Sequence, residues 1–237
     1  MTDHTAKAFD ADLQDIARLV SEMGGLTEKQ IGDAIDALSK QDEPLAQRVI
    51  SIDVKVDQLQ REIEEKSVLT IARRQPMAVD LRDVVGALRV ANDLERIGDL
   101  AKNIAKRVPA IDSDIQLQKV MRGVEHMAEL VLNQVKDVLD SYARRDLDKA
   151  LAVWRGDEEI DAVNNSLFRE LLTYMMEDPR NISLCIHLLF CAKNIERMGD
   201  HATNIAETVY YMVEGHPLLD ERPKGDSTAS ARIAVRQ

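Results

Sequence analysis

Four times along this chain an acidic residue is followed, after three intervening residues, by aspartate: Asp53 and Asp57, Glu95 and Asp99, Asp157 and Asp161, Glu196 and Asp200. Residues four apart share one face of a helix, so each pair presents two carboxylates on adjacent turns. Like charges placed this way cost about 0.2–0.5 kcal/mol on an exposed helix, and more when partly buried. A cation removes that cost. An all-oxygen donor set, with the amides of Asn103 and Asn204 close by in sequence, suits a hard or borderline metal such as Mg²⁺, Mn²⁺ or iron. The competing reading is that acids on a helix face are solvated, with Arg96 and Arg197 beside them to neutralise the charge. Recurrence in both halves favours a constrained site, as does the retention of Gly98 and Gly199 mid-helix at ~1 kcal/mol each. The glycines have a second role open to them, close helix packing.

Other chemistry finds little support. His126, His187, His201 and His216 are preceded three residues earlier by Gly123, Leu184, Met198 and Val213. The Glu-x-x-His ligands of di-iron bundles are therefore missing. His201 alone adjoins an acid pair, and Leu100 replaces it in the first half, which suggests a supporting or surface role. No phosphate-cradling glycine loop, dinucleotide fingerprint or nucleophile elbow is present. Cys185 and Cys191 form no metal or redox motif and read as core thiols of a reducing compartment. Met175, Met176 and the run Leu188-Leu189-Phe190 read as core.

The elements that must position the acids follow from composition and punctuation. With 42 acidic against 31 basic residues the net charge is −11, which argues against nucleic acid as a direct partner and against an electrostatic membrane anchor. Apolar residues make up 45% of the chain, aromatics only 3%, and there are six prolines: the profile of a long-helix protein. No apolar run approaches the ~18 residues of a membrane span, and the first residues lack a signal pattern, so a cytoplasmic location is expected.

Between the prolines, periodic segments predict six helices. The first runs over Asp3–Ser39 with a weak point at Gly24-Gly25, and the second from the Pro44 turn to Arg74. The third runs from an Asp80 N-cap to Val108. The others are expected over Asp112–Arg145, Asp146–Glu177 and Asn181–Glu214. From about residue 218 the chain is too polar to offset the entropy of ordering and is expected to be disordered. On the third helix Asn92, Glu95, Asp99 and Asn103 form one stripe and Val90, Leu94, Ile97, Ala101 and Ile104 another nearly opposite, so the acids are expected to face away from the core.

The second half repeats the first. Ala91–Lys106 and Ala192–Glu207 agree at nine of sixteen positions, where unrelated sequences agree at about one. The pair Asp53/Asp57 aligns with Asp157/Asp161 at an offset of 104 rather than 101. The expected fold is all-α: two tandem three-helix bundles, residues 1–109 and 110–216, followed by a disordered tail over 217–237. Within each half the two acid pairs lie on consecutive antiparallel helices and can meet as a four-carboxylate site.

With Gln75-Pro76, Asp80-Leu81-Arg82, LERIGDLAKNIA and IERMGDHATNIAE on the page, the sequence resembles the PhoU family of bacterial phosphate-transport regulators over nearly its whole length. The resemblance implies a two-repeat protein that is not an enzyme. It implies that the chain links the ATPase subunit of a phosphate ABC transporter to a membrane sensor histidine kinase, damping the phosphate-starvation response and restraining uptake. Membrane association would then be peripheral, through partners, with a homodimer as the expected assembly. Some family members hold iron or zinc clusters on the acid surfaces, which here are Asp53, Asp57, Glu95 and Asp99, and Asp157, Asp161, Glu196 and Asp200; manganese and magnesium fit the same donors. Leu100, in place of the histidine common after the aspartate, makes the two sites chemically unequal. The alternative is a metal-dependent hydrolase or oxidase using these carboxylates, disfavoured because open helix faces do not exclude water.

Overall fold

The computed structural model describes residues 2–111 and 118–220. Seven helices make up this part of the chain: α1 (Thr2–Lys40), α2 (Glu43–Arg74), α3 (Val79–Ala105), α4 (Gln118–Arg144), α5 (Leu147–Arg155), α6 (Asp157–Glu177) and α7 (Ile182–Glu214). Single 3₁₀ turns at Val108–Ala110 and Pro179–Asn181 hold two of the connections.

Local chemistry sets the helix boundaries. Asp42 accepts the backbone N–H of Leu45 at 2.8 Å and Pro44 fills the first turn of α2, where its missing N–H costs nothing. α2 ends at Gln75, whose positive φ of 50° turns the chain ahead of Pro76. The third helix departs from expectation at both ends. Its N-cap position is Ala78, without a side-chain cap, and Asp80 lies inside the first turn, where the helix dipole favours its charge. The helix stops at Ala105, and Val108 belongs to the 3₁₀ turn around Pro109. The predicted start of the fourth helix at Asp112 lies outside the described residues; its end is Arg144, because Arg145 has a φ of 55°.

One predicted helix is two. The span 146–177 breaks at Gly156, separating α5, capped by Asp146 on Lys149 N–H at 3.0 Å, from α6. The break lets both pieces pack on α7. Trp154, buried near the end of α5, donates its indole N–H to Glu207 of α7 at 3.1 Å. The weak point at Gly24-Gly25, in contrast, leaves α1 unbroken. A Cβ at Gly24 would stand 2.9 Å from the Leu139 methyls, so the glycine admits α4 against α1.

Helices α1, α2 and α3 form one three-helix bundle, and α4, α6 and α7, with α5 attached, form the second. The bundles join along α3 and α7, which run antiparallel: Gly86 faces Met212, Asp93 meets His201, and Arg107 meets His187. The core is continuous across that seam, from Met23, Ile31, Ile63, Leu94 and Ile97 to Met127, Ile160, Leu188 and Ile195. Burial of this apolar surface is the main stabilising term. Cys185 and Cys191 are free buried thiols, and burial pushes the Cys191 thiol up to about 12. Met176 and Phe190, expected in the core, are exposed; Phe190 instead lies beneath the Arg107 guanidinium at 4.2 Å. At the start of the expected tail, Leu218 packs against the core and Leu219 does not. Residues 221–237 lie outside the described residues. No helix among the described residues is long and apolar enough to cross a membrane.

Candidate functional site

The third-helix acids expected to face away from the core, Glu95 and Asp99, are half-buried, as are Asp57 and Asp200, whereas Asp53, Asp157, Asp161 and Glu196 are buried rather than on an open helix face. The cause is visible on α2, where Asp53 follows Val49 by four residues and precedes Val56 by three, placing it on the core-facing stripe. The helices that carry Glu95, Asp99, Glu196 and Asp200, α3 and α7, also spend much of their surface on one another.

In the first half the acids gather around a lysine. The Lys102 ammonium donates to Asp53 and, at 2.6 Å, to Asp99. Gln30 of α1 donates its amide N–H to the other Asp53 oxygen at 3.3 Å. Burial alone would lower Lys102, but its bonds to Asp53 and Asp99 hold it above the ordinary lysine range. Glu95 is pushed up, chiefly by burial; Arg96 opposes the shift, while Asp99, Asp57 and Asp53 add to it. Arg96 does lie near this cluster, 3.4 Å from Glu95 and 4.0 Å from Asp99, but it is largely exposed. Gly98 lets this arrangement close, since a Cβ there would lie 3.0 Å from Gln30 Oε1 and 3.5 Å from Asp53 Oδ1.

The second half solves the same problem differently. Asp157 is the first residue of α6, where the helix N-terminus favours a carboxylate. The position matching Lys102 is Thr203, whose hydroxyl lies 3.4 Å from Asp157 Oδ1 and 3.1 Å from the Gly199 carbonyl. Lys193 donates to Glu196 Oε1 at 2.8 Å from the rim. Glu196 Oε2 is buried without a hydrogen-bond partner. Burial raises the Glu196 carboxyl, the Lys193 bond opposes this, and Asp200 and Asp161 raise it further.

Among the described residues no three His, Cys, Asp or Glu side chains are drawn together as a ready metal site. The donors of the first half do not fit a metal as arranged, because an ammonium stands among them. Those of the second half fit better: Asp157, Asp161, Glu196 and Asp200 are hard oxygen donors, and the orphaned Glu196 oxygen would gain a partner from a cation.

Sequence reasoning missed three further groups. Gln30 and Gln134 occupy matched places at the offset of 104 that relates Asp53 to Asp157, a spacing that would have found them. Lys102 was visible as the difference from Thr203. Asp93 was not, because its meaning lies across the seam: it takes His201 Nδ1 at 2.9 Å and Asn204 Nδ2 at 3.4 Å. Asn204 thus serves Asp93, rather than neighbouring the acid cluster. Asp93 and Asn204 line a cavity of about 420 Å³ with Arg89, Asn92 and Tyr211, and another of about 460 Å³ lies among α1, α3, α4 and α7; none of the eight acids lines either.

Comparisons with known proteins agree with this architecture. The PhoU domain model matches twice, over residues 20–108 and 124–209. The chain is 58% identical over 227 residues to the phosphate-specific transport system accessory protein PhoU homolog of Rhizobium meliloti, covering 96% of each chain, and 50% identical to that of Caulobacter vibrioides, covering 95% of this chain and 98% of the relative. Among solved structures, PhoU from Pseudomonas aeruginosa superposes with a TM-score of 0.85 at 42% identity, covering 88% of this chain and all of the other. The phosphate transport system regulatory protein PhoU from Streptococcus pneumoniae gives 0.82 at 27% identity, covering 89% and 99%. Two matches of the PhoU domain model, one on each repeat, and relatives 58% and 50% identical over nearly their whole length place this chain in the PhoU family.

Proposed function

We propose that this chain is a non-enzymatic regulator of phosphate homeostasis that acts by binding other proteins: an accessory of a phosphate ABC transporter that restrains high-affinity uptake and represses the phosphate-starvation response. The observation that carries the reading is the likeness, across both repeats and nearly full length, to relatives named as accessory proteins of phosphate-specific transport. In this reading the chain works in the cytoplasm as a homodimer, contacts the transporter ATPase subunit and a sensor histidine kinase, and reaches the membrane only through them. Its acidic charge disfavours direct contact with nucleic acid, so control of transcription passes through a protein. The carboxylates that fit a metal, Asp157, Asp161, Glu196 and Asp200, bind a divalent or trivalent ion, for which oxygen donors suit manganese, magnesium, iron or zinc. A non-enzymatic role accords with relatives named as accessory proteins of phosphate transport and with the lack of a nucleophile or phosphate-loop motif in the sequence.

Deleting the protein is expected to raise starvation-gene expression or phosphate uptake in phosphate-rich medium. Tagged protein is expected to capture the transporter ATPase or the kinase from detergent-solubilised membranes. Unchanged phosphate responses together with failure to capture either partner would sink the reading and revive a metal-dependent hydrolase or oxidase.

A further inference from the structure

The repeat makes the two clusters superficially equal, with four acids each at matched positions. Their cations differ. In the first half Asp53 is 3% exposed in the middle of α2, far from either end of that helix, and its charge is met by Lys102. The ammonium reaches Asp99 at the same time, so it bridges the two helices that carry the cluster, as a bound metal would. In the second half Asp157 is 4% exposed but opens α6, where the N-terminus of that helix favours its charge. Thr203, standing where Lys102 stands, brings a hydroxyl and no charge. Arg96 and Arg197 occupy equivalent places and do not distinguish the halves.

We infer that the Lys102 ammonium is the resident cation of the first-half cluster, so that this chain takes up a divalent metal only among Asp157, Asp161, Glu196 and Asp200. The inference rests on the metal-binding part of the proposed function and is independent of the protein partners. To enter the first half, a metal must displace an ammonium held by two carboxylates, or share the cluster with it against like-charge repulsion. Lys193 imposes less of a barrier. It approaches Glu196 from the rim with its side chain half exposed, whereas the Lys102 side chain is only 22% exposed. An ammonium at the rim regains water when it swings away, and a more enclosed one gives up more. The unpartnered Oε2 of Glu196 lies in the second half, on a residue 94% buried.

The test is equilibrium dialysis of the full chain against Mn²⁺, with bound metal measured by mass spectrometry and folding followed by circular dichroism. Glu95→Gln with Asp99→Asn is expected to retain the wild-type Mn²⁺ content, and Glu196→Gln with Asp200→Asn to lose it. Lys102→Thr, which copies the second half into the first, is expected to roughly double it. Both carboxylate variants leave Lys102 in place, so the comparison stands even if Lys102→Thr does not fold. Equal loss from the two carboxylate variants, or a folded Lys102→Thr protein with unchanged metal, would overturn the inequivalence while leaving metal binding intact. No Mn²⁺ on the wild type or any variant would overturn both.

Discussion

Lys102 and Asp53 form a charge pair whose carboxylate is buried, and its energetics can be worked from the structure. Asp53 is 3% exposed and Lys102 bridges it to Asp99. Replacing Lys102 with Met strips the ammonium from a buried carboxylate; breaking a buried pair from one side costs about 3–5 kcal/mol, and the partial exposure of Lys102 places this case near the lower end. Asp53→Asn is milder, at about 1–2 kcal/mol, because Lys102 keeps Asp99 at 2.6 Å and the amide still accepts from Gln30. The double variant leaves no uncompensated buried charge and is expected to cost about 2 kcal/mol, giving a coupling of roughly 2 kcal/mol. Urea denaturation at neutral pH in the presence of chelator reads these values, with a shift in midpoint of about 1 M for Lys102→Met at a slope near 3 kcal/mol per molar. A cost below about 1 kcal/mol for Lys102→Met, or simple additivity of the two substitutions, would show that the pair is solvated and that the lysine does not hold the cluster together.

Three further outcomes are expected. The sole tryptophan, Trp154, is buried in the second half, and the core runs unbroken into the first, so its fluorescence and the far-ultraviolet circular dichroism should change at one urea concentration; separated transitions would mean that the bundles unfold independently. His201→Leu installs the residue found at the matched place in the first half and removes the 2.9 Å partner of Asp93, at a cost of about 1–3 kcal/mol by thermal or chemical denaturation; the cost should largely vanish in an Asp93→Asn background. The folded-state carboxyl of Glu196 is raised, so its ionised form is disfavoured by folding, and that penalty is present at pH values above the raised value. Glu196→Gln should therefore raise the melting temperature of metal-free protein at neutral pH. The gain should shrink as the pH falls through the raised value toward the ordinary 4.5, and a gain that is constant with pH would contradict this reading.

Much of the molecule was legible in the chain itself. Apolar spacing placed α1, α2 and α7 to within a few residues, because the period of a helix is written in neighbouring residues and needs no partner to be read. The duplication and the four acid pairs were visible for the same reason. What the sequence left open was which side chains meet across helices. The inward stripe of Val49 and Val56 already carried Asp53, but only the crossing of α2 with α1 and α3 brought Gln30 and Lys102 to meet it. The break at Gly156 depended on α7 lying beneath both α5 and α6, which a single helix could not follow. Asp93 and His201 are 108 residues apart and carry no spacing rule; the antiparallel register of α3 on α7 brings them to 2.9 Å. Local periodicity fixes which side chains share a face. Helix crossing then fixes the dielectric around each charge and the group that answers it, and those two quantities separate the otherwise matching carboxylate clusters.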